Sequence, residues 1–410
     1  MTETDTPDEA PATTPLLAPA DGVPDVLVEP AEFADAAGRL AAGSGPIALD
    51  TERASGFRYS QRAYLVQIRR NGSGTFLIDP ISHPDALTSV IDALDGPQWV
   101  LHAADQDLPC LRELGMRCQD LYDTELAGRL LGLNRVNLAA MTAHFLGYEL
   151  RKGHGAADWS KRPLPDDWLN YAALDVEMLV ELRDAMDARL RAEGKDGWAA
   201  QEFAYILQRP PNPPRVDRWR RTSNIHSLKS PRQLAAVREL WESREELARQ
   251  RDVAPGRVLP DSAIIDAAAT DPTTIDELTA LKVFGGPRQR RHAKRWLAAL
   301  HRARELPDSD LPRRSAPTIG LPPVNRWDQR NPEAAARAAA VRPAVAEVAE
   351  SVSVPAENLL APELVRQLCW NGVAADPDAV DEALAAGHAR PWQRELTREA
   401  IAVALGQVEG

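Results

Sequence analysis

Cysteine is scarce, with Cys110, Cys118 and Cys369 the three in 410 residues. Their spacing matches neither a zinc ligand set nor a disulfide framework, so the sequence predicts reduced, buried thiols. Also missing is any uncharged apolar run near the roughly 20 residues of a membrane-spanning helix. The N-terminus has neither the basic region nor the long apolar region of a secretory signal. Residues 1–24 are acidic and rich in Pro, Ala and Thr, and are read as a disordered tail in the cytoplasm.

A hydrophobic fraction of 44% is enough for real cores, and 410 residues suffice for two or three domains. The net charge of −12 does not exclude a nucleic-acid partner, because the charge is unevenly spread. Residues 1–35 carry nine Asp/Glu and no Lys/Arg, whereas residues 209–304 carry twenty Lys/Arg against eleven Asp/Glu. A polyanion responds to the local field more than to the total.

Between residues 25 and 208 the pattern is mixed. EPAEFADAAGRLAAGS has helical spacing, GPIALDTE, AYLVQIRR and GTFLIDP read as strands, and Asn71-Gly72-Ser73-Gly74 makes a turn. QWVLHA is a fourth strand, after which helices dominate up to the long segment PDDWLNYAALDVEMLVELRDAMDARLRAEG. RPPNPPRVDRWRR breaks the chain, and no strand pattern follows it.

Three acidic features lie within the mixed region. Asp50 and Glu52 stand two apart at the end of an apolar strand and share a face. Two such carboxylates repel unless a cation lies between them, and hard oxygen ligands suit Mg²⁺ or Mn²⁺. Alone, the pair is better read as a solvated strand end. Asp105 and Asp107 follow QWVLHA. Asp105 is expected to cap a helix, while Asp107 is either a partner for the helix dipole or a metal ligand. Tyr171 and Asp175 stand one helical turn apart on one face. Each feature is ordinary alone, but the ordered set is not. His102 at a strand end is expected to be a hydrogen-bonded core residue, and Lys152, His154 and Arg162 are left outside the catalytic set.

The set resembles the ribonuclease D family of DEDD-type 3′→5′ exonucleases, in the subgroup with tyrosine in its last motif. SQRAYLVQIR, HAADQDL, DWSKRPL and YAALDV carry the resemblance around the motif residues. It implies an α/β ribonuclease H-like domain, a mixed sheet flanked by helices, with Asp50, Glu52, Asp107, Tyr171 and Asp175 catalytic. The four carboxylates would hold two Mg²⁺ or Mn²⁺ ions, and Tyr171 would orient the attacking water. Ala157 and Trp168 depart from the family pattern, at positions that bear on substrate contacts.

Residues 228–307 resemble an HRDC domain, marked by VLPDSAIIDAA and DPTTIDEL, and residues 327–410 a second, divergent HRDC-like domain. In KVFGGPRQRRHAKRWLAALHRAR, the residues Arg288, Arg290, Arg291, Lys294 and Arg295 are candidate phosphate contacts, or else a solvated helix face. From residue 305 onward the chain is acidic, which assigns the last domain to packing. Linkers are expected at 209–227, rich in Pro and Arg, and at 308–326.

The expectation is therefore an exonuclease domain followed by two small all-α HRDC-type domains. It would act as a monomeric, metal-dependent, cytoplasmic exoribonuclease on RNA with a single-stranded 3′ end, with tRNA precursors the substrate that the resemblance implies. A DNA-directed exonuclease and a non-catalytic RNA-binding scaffold stand as alternatives.

Overall fold

The structure, a computed structural model, describes residues 13–150, 153–210, 215–315 and 320–409. Strand β1 (Thr14–Leu16) pairs in parallel with a later strand, and β2 (Val26–Leu27) lies at the edge of the main sheet. Helix α1 (Pro30–Ala42) begins with proline at its first turn and a capping box between Glu29 and Glu32, which satisfies orphan amides. Three strands follow, β3 (Ser44–Arg53), β4 (Ala63–Asn71) and β5 (Gly74–Ile78). After α2 (Thr88–Leu94) come β6 (Trp99–Leu101), α3 (Leu108–Glu113), β7 (Leu121–Asp123), α4 (Thr124–Leu130), α5 (Leu138–Leu146) and β8 (Tyr148–Leu150), the partner of β1. Helices α6 (Asp166–Glu177), α7 (Leu179–Ala192) and α8 (Asp196–Gln208) complete the domain.

The six-stranded sheet has the order β2-β5-β4-β3-β6-β7, antiparallel for β5-β4-β3 and parallel for β3-β6-β7 and for β2-β5. It is the mixed sheet expected. β3 is central, and its inner residues Ile47 to Leu49 are buried, as are Ala63 to Ile68 on β4. Both strands are covered on two faces, so they read in the sequence as nearly continuous apolar runs.

For residues 13–24 the expectation of a disordered tail is corrected. Residues 1–12 lie outside the described residues, but Thr14–Leu16 forms β1, and the Ala20 amide donates to Glu177 Oε1 at 3.0 Å. The pairing with β8 ties the segment down. The linker expected at 209–227 is also more ordered than its prolines suggest. Trp219, in the turn Arg218–Arg221, is buried in the core of the first helical domain.

That helical domain is built on α9 (Pro231–Arg251) and the helix Ala293–Glu305, and encloses a core of its own around Leu240, Ile264 and Trp296. It docks on the exonuclease domain through polar contacts at the C-terminus of α9. Asp252, in the left-handed conformation, accepts from the Ser60 amide at 2.8 Å and from Arg62 at 2.9 Å, and the Ala254 amide donates to the Phe57 carbonyl at 2.9 Å.

The last helical domain sits differently. Its main helices, Pro332–Ser351 and Pro391–Glu409, share one continuous apolar core with the exonuclease domain. Trp392 stacks on Trp198 with ring centroids 4.9 Å apart and donates through Nε1 to the buried Glu202 at 2.8 Å, and Arg390 pairs with the same carboxylate at 2.6 Å. The acidic C-terminal region therefore packs, as its charge suggested.

Candidate active site

Two strand ends and one helix converge at the C-terminal end of β3. Asp50 and Glu52 stand there opposite Gln67 and Leu65 of β4, just before a register shift between Glu52 and Arg53, whose pairing with Ala63 is the last of the ladder. β6, parallel to β3, delivers the chain to the same level and into the turn that holds Asp107. α6 crosses this end of the sheet and presents Tyr171 and Asp175 from one face.

All five residues line one cleft of about 250 Å³. Asp50, Glu52 and Asp175 each offer an oxygen within 4.8 Å of the others. Asp107 sits beside this trio, not within it. Its Oδ1 accepts from the Thr51 hydroxyl at 2.6 Å and lies 3.9 Å from Arg53. Thr51, which alternation aims away from Asp50 and Glu52, thus fixes the fourth carboxylate from the other face of the strand.

Burial and mutual repulsion make this an unfavourable place for bare anions. Burial, followed by the charges of Asp107, Asp175 and Glu52, holds Asp50 well above the usual carboxylate range. Glu52 is raised in the same way, by burial and then by Asp175 and Asp107. Burial lifts Asp175 to about 7, against the Tyr171 hydrogen bond that lowers it. Asp107 is raised to about 6 by burial, with Thr51 and Arg53 opposing. Tyr171 is pushed far up by burial and by Asp175 and Glu52, so its hydroxyl stays protonated.

Asp105 does not cap the helix, contrary to expectation. It lies in the short turn Ala104–Gln106 and pairs with Arg209 at 2.5 Å, while Asp107 occupies the N-cap position of α3. The residue that shapes this turn is one that the sequence reading missed. Asp123, buried at the end of β7, accepts from the amides of Ala103 at 3.2 Å and Ala104 at 2.9 Å, and also caps α4 through Leu126. Ala103 has φ 59°, a left-handed conformation costly for a residue with a Cβ, and the Asp123 bonds hold it there. The signal was the pair Asp123-Thr124 opening a helix, a cap signature that says nothing of a second role.

His102 also lines the cleft. Its Nδ1 is 3.0 Å from the Thr124 hydroxyl, and burial lowers its pKa to about 4, so it is neutral at pH 7. Lys152 lies outside the described residues. Arg162 holds structure together, donating to Asp79 at 2.6 Å and to the Tyr64 carbonyl at 2.8 Å. Trp168, one of the two departures, packs at 5.2 Å against Trp159 and at 5.8 Å against His154, whose ring meets Tyr171 edge-on. Beside it, Gly153 lies so close to Tyr171 that a Cβ there would stand 2.1 Å from the ring.

Of the five basic candidates, Arg288 and Arg291 line a separate cleft against the exonuclease domain, Arg290 and Lys294 are exposed, and Arg295 is paired with Glu246 at 3.2 Å.

Comparison with known proteins follows the same division of the chain. A 3′-5′ exonuclease family matches residues 26–191, an HRDC domain residues 233–300, and a 3′ to 5′ exonuclease C-terminal domain residues 320–405. Ribonuclease D of Gluconacetobacter diazotrophicus is 32% identical over 278 residues, 65% of this chain and 69% of its own. Ribonuclease D of Escherichia coli is 29% identical over 365 residues, 87% and 91% of the two chains. Among solved structures, a protein from Bifidobacterium adolescentis is 39% identical with TM-score 0.88, covering 97% of this chain and 100% of that one. Escherichia coli RNase D, described as an exoribonuclease involved in structured RNA processing, has the same fold at 24% identity and TM-score 0.64, over 93% and 98% of the two chains.

Proposed function

We propose a chemistry and a substrate for this chain on the premise that it belongs to the ribonuclease D family and is a 3′→5′ exoribonuclease. The observation that carries the chemistry is the trio of carboxylates within 4.8 Å of one another, with a fourth, Asp107, alongside and 3.9 Å from Arg53. Such a set fits divalent cations, because hard oxygen donors match them and their charge relieves the mutual repulsion of the carboxylates. Asp50, Glu52, Asp107 and Asp175 would hold two Mg²⁺ or Mn²⁺ ions. Bound there, the ions supply Lewis acidity toward the scissile phosphodiester and lower the pKa of water.

The chain's own groups do the rest. Tyr171 keeps its proton, so it serves as an orienting hydrogen-bond partner of the attacking water and not as a base. Its position is set from both sides, by Asp175 one turn along the helix and by the close backbone of Gly153. Thr51 and Asp123 position Asp107, the first by a direct bond and the second through the turn. Products would be nucleoside 5′-monophosphates, released one at a time from the 3′ end.

The substrate we propose is RNA with a single-stranded 3′ end, tRNA precursors in particular, processed in the cytoplasm by a monomer. Arg288, Arg290, Arg291, Lys294 and Arg295 would add phosphate contacts that position RNA without reading its sequence. Incubating the purified protein with 3′-recessed, single-stranded and tRNA-precursor substrates, in RNA and DNA form, with Mg²⁺, Mn²⁺ or chelator, tests the whole reading. A metal-dependent ladder shortening from the 3′ end of RNA is expected. Preference for DNA, or binding without cleavage, would replace it with one of the two alternatives.

A further inference from the structure

A second cleft, of about 400 Å³, opens where the first helical domain meets the exonuclease domain. Five arginines line it, Arg58 from the exonuclease side and Arg251, Arg257, Arg288 and Arg291 from the helical side, against one carboxylate, Asp158. Arginines close by in sequence are ion-paired, Arg244 with Asp261 and Arg295 with Glu246. Among the described residues, none of the five has a carboxylate within 4.0 Å. Asp158 itself accepts from the Ser160 hydroxyl, which in turn accepts from Arg58 Nε at 2.8 Å. Like charges gathered without partners repel one another, and the field they make favours a polyanion. The depressed pKa of His292, caused by burial and then by Arg251, Arg295 and Arg291, registers that field inside the cleft.

The floor is apolar, with Phe57 and Val258 among its residues. Arg257 lies over the Phe57 ring at 4.0 Å and is fixed there by a bond from Nε to the Gly56 carbonyl at 2.8 Å. A guanidinium held in place over an aromatic ring offers a surface on which an unpaired base stacks. Phosphate groups at the rim and a base on the floor is the pattern of a single-stranded nucleotide site.

The cleft is also close to the catalytic one along the chain. Arg53 lines the first and Phe57 the second, while Gly155 lines the first and Asp158 the second. Four- and three-residue connections limit these Cα separations to about 14 and 11 Å. One strand of RNA can therefore reach both.

We propose that this interdomain cleft is a second RNA site, which holds the phosphates and a base of the single strand upstream of the 3′ end while the terminal nucleotide lies among the acidic residues. It rests on the exoribonuclease reading and adds a second point of attachment built by two domains. Arg251, Arg288 and Arg291 are exposed, so replacing them leaves the packing in place.

The test measures binding of labelled single-stranded RNA to the full chain over a range of NaCl concentrations. Single-strand binding loses about 0.7 in the log–log salt slope for each phosphate contact removed. The triple variant Arg251→Ala/Arg288→Ala/Arg291→Ala should therefore bind with a slope shallower by up to about 2, and each single variant with a part of that. A control triple of equal charge outside the cleft, Arg313→Ala/Arg314→Ala/Arg326→Ala, should keep the wild-type slope. An unchanged slope in the cleft triple overturns the proposal, and so does an equal change in the control, which would report net charge alone. Thermal melts of both triples certify the fold. Failure of the wild type to degrade RNA sinks the exoribonuclease reading separately, since the salt slopes are read from binding.

Discussion

Tyr171 is a phenol whose burial and acidic neighbours keep it protonated, and that limits what it can do in catalysis. Orienting water through its hydroxyl predicts that Tyr171→Phe lowers kcat by a factor on the order of 10²–10⁴ with little change in KM. Single-turnover cleavage at saturating Mg²⁺ measures this, and a rate within about twofold of wild type would remove the hydroxyl from the mechanism. Asp50→Asn and Asp175→Asn should each abolish hydrolysis while sparing the fold. The carboxylates also leave a mark on stability. Asp175 titrates near 7 in the folded chain, far above the ordinary 3.8, so between those values the folded state binds the extra proton. In chelator, that contribution to stability is present below about pH 4 and lost as pH rises through 7. The melting temperature of Asp175→Asn should fall less across this window than that of wild type, and millimolar Mg²⁺ should offset the loss in wild type. Parallel curves for the two proteins would contradict the raised value.

At the scale of elements, the loop 153–160 and helix α6 act on one another through a single missing side chain. Gly153→Ala would place a Cβ 2.1 Å from the Tyr171 ring, so loop or ring must move. We expect kcat to fall toward that of Tyr171→Phe while the melting temperature changes little, because Gly153 itself buries no apolar side chain. Normal kcat in this variant would show that the loop yields without moving the tyrosine. The elements that place the site were unequally legible in the sequence. β3, β4 and β5 and the periodicity of α6 and α7 stood out because they are long and buried on one or two faces. β1, β7 and β8 are three residues each, too short to show a period, and they exist because a partner strand lies alongside. The five motif residues could be named from their order along the chain. What could not be read was that Thr51 ties Asp107 to β3, or that Asp123 bends the turn before it, since both are contacts between residues far apart in sequence.

Across the whole molecule, the two helical domains are attached by different physics. The first has its own core and a polar hinge at Asp252. Burial raises the Asp252 carboxyl, but the Ser60 amide and Arg62 more than offset that and leave it at about 2. Its share of docking is therefore present above pH 4 and lost as pH falls toward 2. The last domain shares the exonuclease core. Calorimetry should resolve the first helical domain as one transition and the other two domains together as another. Three separate transitions would mean that the common core is not cooperative. Truncation after residue 307 should lower the melting temperature of the exonuclease domain, whereas point changes on the polar hinge should not.

That shared core also has a schedule. Trp392 is made 194 residues after Trp198, the ring it stacks on. At roughly 5–20 residues per second, the ribosome leaves this face of the exonuclease domain uncovered for about 10–40 s, during which the first helical domain emerges and closes around its own core. The nascent chain thus carries an uncovered apolar face over a defined interval, and a message cut short within residues 308–326 would yield a product whose apolar face is never covered.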